Sequence, residues 1–423
     1  MNNVANKPVF GYCISALIVL AATVMPAFAD VTIRPSSDWD GTKPCSGADD
    51  TERIRQALRM SRGTVRFESG KYQLSGPLPL ESGRTYQGAG SWHPKYGSTL
   101  IQCTSNQPVF VINGHVDNVT IAGLTFDGSV KENSPDPHPQ GISGIKAASG
   151  PNTKAVLANS VVRDNHFFYG IEEGIETPMV STRIENNAFG GHGDSDHAAA
   201  RRRHIHAVPT AGGNNNNWVS GNILNYAVGG AESVLFEGGA QLHIVGNDIE
   251  DNNFITVCDS DRKNCHHVGA GNPETVLRIS DMSDVIIQGN WFEQNGGAAQ
   301  MIFEVGSKQL GNGRVRLEDN IYILDVLSEK KCVEKHYVLD VSYENCFVFL
   351  TSADLQVSPS GSAPPKRPSP QVYMGYEAGY VNGPLVTGPA SFEECHLHIV
   401  GPFSGFYGSV EVAVQTTGNP ACL

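Results

Sequence analysis

The sequence predicts an all-β fold, a single-stranded right-handed parallel β-helix with a short N-terminal capping helix. Three observations lead to this prediction. An asparagine pattern recurs along the chain, short alternating strands precede each asparagine, and a helical segment lies ahead of the first repeat.

The first 29 residues are typical of a secretory signal peptide. They contain one charged residue, Lys7, followed by an uncharged run over Cys13–Val24 and the small-x-small sequence Ala27-Phe28-Ala29. The run is too short for a membrane-spanning helix, which takes about 20 apolar residues. We therefore expect the mature chain to begin at Asp30 and to be secreted or periplasmic.

The composition is acidic, and an even number of cysteines follows the leader. The chain has 30 Lys and Arg against 43 Asp and Glu, a formal net charge of -13, which argues against a nucleic-acid partner. Eight of the 9 cysteines lie beyond residue 29, and disulfide bonds are the expected state in an exported chain. Short separations favour pairing of Cys258 with Cys265 and of Cys332 with Cys346.

The segment Asp50–Met60 predicts an amphipathic helix. Its apolar residues Ile54, Ala57 and Leu58 share one helical face. Such a helix would cover the open end of a strand stack, whose unpaired edge would otherwise invite aggregation.

A repeated unit follows, in which an asparagine has an aliphatic residue three positions before it and an apolar residue two positions after it. The asparagines are Asn165, Asn187, Asn222, Asn247, Asn290 and Asn320. The residues three positions before them are Val162, Ile184, Val219, Ile244, Ile287 and Leu317. The residues two positions after them are Phe167, Phe189, Leu224, Ile249, Phe292 and Tyr322.

These repeats predict one coil per unit, with loops of variable length inserted. Apolar and polar residues alternate just before each asparagine, as in a strand with one buried face. Asparagine tolerates left-handed backbone angles and can bond to its equivalents in neighbouring coils. We therefore expect a buried aliphatic column beside an asparagine ladder at a turn. An ordinary β-sandwich with asparagine-rich loops is the alternative, but it gives no reason for the repetition.

Residues 38 to 90 contain a series of short motifs, which are Asp40-Gly41-Thr42, Ala48-Asp49-Asp50-Thr51, Gly63-Thr64-Val65, Gly70-Lys71-Tyr72, Gly76-Pro77-Leu78 and Gly88-Ala89-Gly90. With these motifs the segment resembles the opening of the pectate lyase superfamily domain, which is shared by exported polysaccharide lyases, glycosidases and phage tailspikes. The resemblance implies the β-helix fold and an action on polysaccharides, although one fold hosts many functions.

The sequence departs from the better-marked enzymes of that superfamily. Gly191-His192-Gly193 resembles part of the polygalacturonase motif set, but the paired aspartates expected upstream are absent. Asp136-Pro137-His138 resembles a tripeptide of mannuronan epimerases, but it lies among prolines in a predicted loop. The resemblance therefore does not select one reaction.

The repeat predicts a β-helix domain over residues 30–350. Beyond it, Ser358–Pro370 is rich in proline and is read as a loop. We expect residues 351–423 to form this loop and a β-rich C-terminal cap.

A candidate groove follows from the strand that precedes each asparagine strand. The polar residues of these preceding strands would face outward on successive rungs, which lie about 4.8 Å apart. We expect His206, Glu237 and Glu304 to be catalytic, and we expect the substrate to be bound by Glu172, His192, Arg202, His204 and Arg278. His192, Arg202 and His204 belong to a loop, Gly190–Asn217, that would overhang the groove. Each of these side chains could instead be an ordinary surface residue or part of a structural ion pair.

Three functions remain open from the sequence. Glu237 and Glu304, two rungs apart, would suit an inverting glycoside hydrolase. His206 or an arginine as the base, with Arg202 or Arg278 to neutralise the carboxylate, would suit elimination or epimerisation of a uronate polymer. A non-catalytic carbohydrate-binding or adhesin-like coil is the third. The expected partner is a polysaccharide, with no nucleic acid and no membrane span. No cofactor is expected, with Ca²⁺ a candidate only for a uronate lyase.

Overall fold

A computed structural model describes the fold over most of the repeat region. The described residues are 30–36, 45, 47–91, 97–128, 142–148, 154–168, 171–190, 203–225, 227, 232–250, 252, 254–258, 265–269, 275–293, 299–304, 314–318, 320–323, 337–342, 347–351, 371–374, 378–380, 386–387 and 397–400. The predicted signal peptide and the loop residues His192 and Arg202 lie outside them.

Three parallel sheets, here called A, B and C, run along the coil. In each full coil the chain passes through sheet A, then sheet B, then the asparagine turn, then sheet C. Sheet A contains Leu78–Pro79, Pro108–Ile112, Ser143–Ala147, Glu173–Glu176, Arg203–Ala207, Ala299–Glu304, Tyr337–Ser342 and Val386–Thr387.

Sheet B contains Val31–Ile33, Thr64–Phe67, Thr85–Gln87, Thr120–Ala122, Val161–Arg163, Arg183–Glu185, Asn214–Ser220, Arg314–Glu318, Phe347–Thr351, Gln371–Met374 and Leu397–Val400. Two long strands, Val234–Val245 and Thr275–Gln288, run through both sheets and join them.

Sheet C contains Gly70–Leu74, Ser98–Gln102, Leu124–Asp127, His166–Phe167, Ala188–Phe189, Ile223–Leu224, Asp248–Glu250, Trp291–Glu293, Ile321–Ile323 and Ala378–Tyr380. A short additional sheet holds His115–Asp117, Val156–Ala158 and Met179–Val180. Phe254–Cys258 and Cys265–Gly269 form an antiparallel hairpin.

The interior of the coil is filled by columns of apolar side chains, one residue per rung. The predicted column on sheet B is confirmed in register from Val162 to Leu317. Its members from Val162 to Ile287 are fully buried. On sheet C the rings of Phe126, Phe167 and Phe189 stack with centroids 4.5 Å apart.

The asparagine ladder is also confirmed. In each rung the backbone N–H and Nδ2 of the asparagine donate to Oδ1 of the next asparagine at 2.9 to 3.0 Å. Nδ2 also donates to a backbone carbonyl of the preceding rung, as from Asn247 to Val219 at 2.9 Å. The ladder therefore satisfies buried backbone groups at the corner between sheets B and C.

The left-handed backbone angle expected at each ladder asparagine lies on the residue before it. The ladder asparagines do not have left-handed backbone angles, whereas the residue just before the ladder position does in six successive rungs. These preceding residues are Gly123, Asp164, Asn186, Gly221, Gly246 and Gly289, with φ between 55° and 66°. Glycine, asparagine and aspartate tolerate this conformation best. The turn thus uses one residue for its backbone angle and the next for its side-chain hydrogen bonds.

The predicted capping helix is confirmed over Thr51–Met60. Ile54 and Leu58 are buried against the first coil. Arg84, which is 1% exposed, donates to the Leu58 carbonyl near the helix C-terminus at 2.5 Å and to Glu81 at 2.7 Å. A buried charge held by several hydrogen bonds fixes the helix on the end of the coil.

One disulfide bond, between Cys45 and Cys103, joins the segment before the helix to the end of a sheet C strand. Cys258 and Cys265 lie directly opposite each other in the hairpin register, but their pairing stays a prediction. The pair Cys332 and Cys346 lies outside the described residues. Within the part of the chain that the structure covers, no helix has the length and hydropathy to cross a membrane.

The boundary at residue 350 stays a prediction. Strands beyond it continue the parallel pairing, since Gln371–Met374 pairs with Arg314–Glu318.

Candidate active site

The outer face of sheet A carries charged residues on successive rungs. Behind them lies a buried column in register, Ile145, Ile175, Ile205, Val234 and Leu277. The next residue of each strand belongs to a second register column, which consists of Lys146, Glu176, His206, Leu235 and Arg278. The candidate site is built around this second column.

The register differs from the sequence-based alignment of the site. Glu176, not Glu172, is the neighbour of His206 on the preceding rung, because the strand begins at Glu173. Leu235 lies between His206 and Arg278 in the column, and Glu237 lies two residues further along its strand. The predicted residues therefore occupy successive rungs without forming one straight line.

His206 has charged groups at both ring nitrogens. Its Nε2 lies 2.7 Å from Oε2 of Glu237. On the other side, Nδ1 lies 3.2 Å from Nη1 of Arg203 and 3.7 Å from Oε2 of Glu173. Both His206 and Glu237 are expected from the sequence to be catalytic, and the structure brings them into hydrogen-bonding contact.

Glu232 links two arginines on different rungs. Its Oε2 lies 3.0 Å from Nη2 of Arg203, and its Oε1 lies 2.8 Å from Nε of Arg278. Arg203 also contacts Glu173 at 3.4 Å. A continuous chain of ion pairs therefore runs from Glu173 to Arg278 and contacts His206 at Nδ1.

Burial and neighbouring charges shift two of these groups. Burial is the largest influence on His206 and lowers its pKa, but the contacts with Glu173 and Glu237 raise it, and the net shift is upward. Burial raises the pKa of Glu232, but its own backbone N–H and the charges of Arg203 and Arg278 outweigh burial and lower it. Both groups are therefore favoured in their charged forms.

Of the four described carboxylates around His206 and Arg203, which are Glu173, Glu176, Glu232 and Glu237, Glu237 has the greatest access to solvent. Its side chain is 33% exposed, compared with 14% for His206 and 18% for Glu232. Of the charged groups in contact with His206, Glu237 is thus best placed to meet a ligand from solvent.

The other predicted site residues have different positions. His204 is 5% exposed and bonds through Nδ1 to Ser233 at 2.7 Å, so it belongs to the interior of the coil and not to the outer face. Glu172 precedes its strand and is partly buried. Glu304 shares a register position with Ser280, which is itself in register with Glu237. The backbone positions of Glu237 and Glu304 are therefore two rungs apart, as predicted.

Sequence reasoning missed Glu173, Glu176 and Glu232, and it placed Arg203 in the overhanging loop, whereas Arg203 begins the strand Arg203–Ala207. The sequence pattern indicates Glu172 as the outward position, whereas the strand itself is Glu173–Glu176. Glu232 precedes the apolar alternation of its strand, and only its distance to the two arginines reveals its role.

Glu173, Glu176 and His206 are the described residues that come nearest to a metal site, with one ligand atom from each within 4.8 Å of the others. Lys146 already contacts Glu176 at 2.5 Å, and Arg203 contacts Glu173. Calcium takes six to eight oxygen ligands, whereas this set includes an imidazole nitrogen and is flanked by two cations. These residues do not fit calcium, and we assign no metal ion to them.

Similarity to solved structures establishes the fold. The DFA-IIIase from Arthrobacter chlorophenolicus A6, solved without its lid in complex with GF2, matches 89% of this chain and 94% of its own, at 11% identity and a TM-score of 0.51. This chain has the right-handed parallel β-helix fold. At this identity the match carries the fold alone, so the chemistry must be argued from the site.

Two further matches have TM-scores below 0.5 and support no inference about function. The tailspike of Acinetobacter phage vB_ApiP_P1 matches 89% of this chain at 12% identity and a TM-score of 0.49, and the match spans 61% of the tailspike. The A-module of a mannuronan C-5 epimerase from Azotobacter vinelandii matches 85% of this chain and 96% of its own, at 14% identity and a TM-score of 0.37. No protein-family model matches the sequence, and no curated protein matches it.

Proposed function

We propose that this protein is an exported enzyme that binds a polysaccharide along the outer face of sheet A and cleaves it by proton transfer at Glu237 and His206. The observation that carries the proposal is the 2.7 Å contact between Nε2 of His206 and Oε2 of the more exposed Glu237. A general acid or base must lie within hydrogen-bonding reach of its proton partner and must be accessible to substrate.

Glycoside hydrolysis is the reaction that this arrangement supports best. The pair can hold one proton between Nε2 and Oε2, and Glu237 would deliver it to the glycosidic oxygen. Glu304 would be the second carboxylate, two rungs away, which corresponds to about 9.6 Å between backbones. Inverting glycosidases hold their two carboxyl groups roughly 6.5 to 9.5 Å apart, leaving room for a water molecule.

Elimination from a uronate polymer is the second candidate. Arg203 and Arg278 lie in the same ion-pair chain as His206, and a guanidinium group can neutralise a sugar carboxylate during proton removal. In that reaction His206 would be the base and Glu237 would orient it.

Export is inferred from the leader-like first 29 residues and is supported by the Cys45–Cys103 disulfide bond. Disulfide bonds persist in oxidising compartments outside the cytosol. A polysaccharide of the cell surface or surroundings would be accessible to such an enzyme.

The decisive experiment incubates the purified protein with a panel of neutral and acidic polysaccharides. Hydrolysis produces new reducing ends without ultraviolet absorbance, whereas elimination produces both reducing ends and an unsaturated sugar that absorbs. The control is Glu185→Gln, which alters a glutamate on sheet B outside the proposed site. Binding without either product, or products unaffected by a combined substitution of His206 and Glu237, would contradict the proposal.

A further inference from the structure

Two oppositely charged side chains converge on the same ring nitrogen of His206. Arg203 Nη1 lies 3.2 Å from Nδ1, and Glu173 Oε2 lies 3.7 Å from it. Arg203 Nη1 also lies 3.4 Å from Oε1 of Glu173. The three groups therefore form a compact triangle on the side of the ring away from Glu237.

The chemistry of these groups makes their contacts with Nδ1 mutually exclusive. A guanidinium group can only donate hydrogen bonds, and an ionised carboxylate can only accept them. An imidazole nitrogen without a proton accepts from Arg203, whereas the same nitrogen with a proton donates to Glu173. In both cases Nε2–H can remain directed at Glu237.

We propose that Arg203 and Glu173 are positioning residues that exchange as partners of His206 Nδ1 when that nitrogen gains or loses its proton: Arg203 holds the neutral ring, and Glu173 holds the protonated ring. This inference rests on the proposed function for its role in catalysis. When Nδ1 takes up a proton from water, an N–H bond forms there, Arg203 can no longer donate to Nδ1, and Glu173 accepts the new N–H. Loss of that Nδ1 proton to water reverses the exchange, and Nε2–H stays directed at Oε2 of Glu237 in both states.

The surroundings of Arg203 keep it in reach of the ring. Its Nη2 is held by Glu232 at 3.0 Å, and Glu232 is itself held by Arg278. The groups that face His206 are Glu173 and Glu176 from the preceding rung, Arg203 from its own strand and Glu237 from the following rung. Arg203 lowers the pKa of His206, and contact with Glu173 raises it.

The test is an NMR titration of the His206 ring in the full-length protein labelled at histidine, with the signal assigned by its loss in His206→Gln. Glu173→Gln should move the titration midpoint to lower pH, since the protonated ring loses its acceptor. Arg203→Gln should move it to higher pH, since a repelling charge is removed. Glu185→Gln, away from the cluster, should leave the midpoint unchanged. Shifts in the same direction, or shifts no larger than in this control, would overturn the proposal.

A second variant keeps the test informative if Arg203→Gln does not fold. Arg203→Lys retains the positive charge but loses the planar fork that reaches both Glu232 and Nδ1. The neutral ring should then shift from the Nε2–H tautomer toward the Nδ1–H tautomer, which ring ¹⁵N chemical shifts report. An unchanged tautomer would contradict the inference. The titration needs no substrate, so its outcome is independent of whether polysaccharide cleavage is found.

Discussion

The asparagine turn and the outer face of sheet A belong to the same coils but differ in how they use the repeat. At the turn, one residue type recurs in six rungs with hydrogen bonds of 2.9 to 3.0 Å. On sheet A the corresponding column changes at every rung, from Lys146 through Glu176 and His206 to Leu235 and Arg278. The regular positions therefore hold the coil together, and the irregular ones are where chemistry is expected.

Burial accounts for the difference. The turn has no access to water, so an unmatched amide would leave a buried polar group without a partner, and the residue type is restricted. The outer face of sheet A is partly hydrated, and its charges pair across rungs instead. Ion pairs of this kind contribute modestly to stability and can vary in identity.

The first prediction alters the irregular outer face of sheet A. We expect Glu237→Gln to reduce turnover by at least about 100-fold, since a positioned acid or base contributes on that scale. Its unfolding free energy should change by less than about 1 kcal/mol, because the side chain is partly exposed. Turnover is measured as the rate of product formation, and stability by chemical denaturation.

Glu304→Gln separates the two candidate reactions. For hydrolysis it should produce a loss comparable to that of Glu237→Gln, whereas for elimination His206→Ala should carry the large loss and Glu304→Gln a small one. Glu185→Gln should retain full turnover. Loss of folding in Glu237→Gln would show that the outer face is structural and would break the comparison.

The second prediction alters the regular corner. Asn247→Ala removes a side chain whose Nδ2 bonds to Val219 and Asn290 and whose Oδ1 accepts from Asn222. Stability should fall by about 1 to 3 kcal/mol, since buried partners lose their hydrogen bonds. Turnover of the folded fraction should remain close to that of the parent protein.

Asn215→Ala is the matched control for this change. Asn215 donates an exposed bond to Gly212 at 2.8 Å, so its loss should change stability by about 0.5 kcal/mol or less. Equal losses of stability in the two variants would show that the ladder asparagine stabilises the coil no more than an exposed asparagine does.

The sequence could predict the corner because its physics is local and repeated. The positions of Asn165 and Val162 recur at a fixed separation, so their stacking follows from the pattern alone. The pattern places the left-handed backbone angle on the asparagine, whereas it lies one residue earlier, as at Gly221 and Gly246, because the residue type at that position varies from rung to rung.

The site was less predictable because it depends on register between strands separated by loops. His206 and Glu237 could be paired from the sequence, since they lie on consecutive rungs. Glu173 and Glu232 could not, since one residue of register decides whether a side chain faces outward. Glu232 also acts through distances to two arginines on different rungs, which no linear pattern encodes.

The third prediction tests the corrected backbone assignment. Gly246→Ala should destabilise the protein by about 1 kcal/mol, because a φ of 62° is strained for alanine. A Cβ at Gly246 would meet no atom within 4 Å, so the loss would reflect backbone strain alone. Gly212→Ala, with equal space and no left-handed angle, should be neutral or slightly stabilising. Equal stability of the two variants by thermal unfolding would refute the assignment.

The smallest expected effect is the pH dependence of stability at the site. The pKa of His206 is raised in the folded protein, so its charged form is favoured there relative to the unfolded chain. Its contribution is fully present below the ordinary histidine pKa of about 6.5 and is lost as pH rises through the higher folded value. The pKa of Glu232 is lowered, so its contribution is present above the ordinary glutamate value and is lost as pH falls through the lower folded value. Denaturation curves recorded over both ranges should therefore show stability falling at each end.

Substitution of His206 by Gln should flatten the fall in stability at high pH and leave the fall at low pH in place. A variant that lost the fall at low pH instead, or a parent protein whose stability was already flat at high pH, would show that the charges of sheet A are not coupled to folding as their contacts indicate.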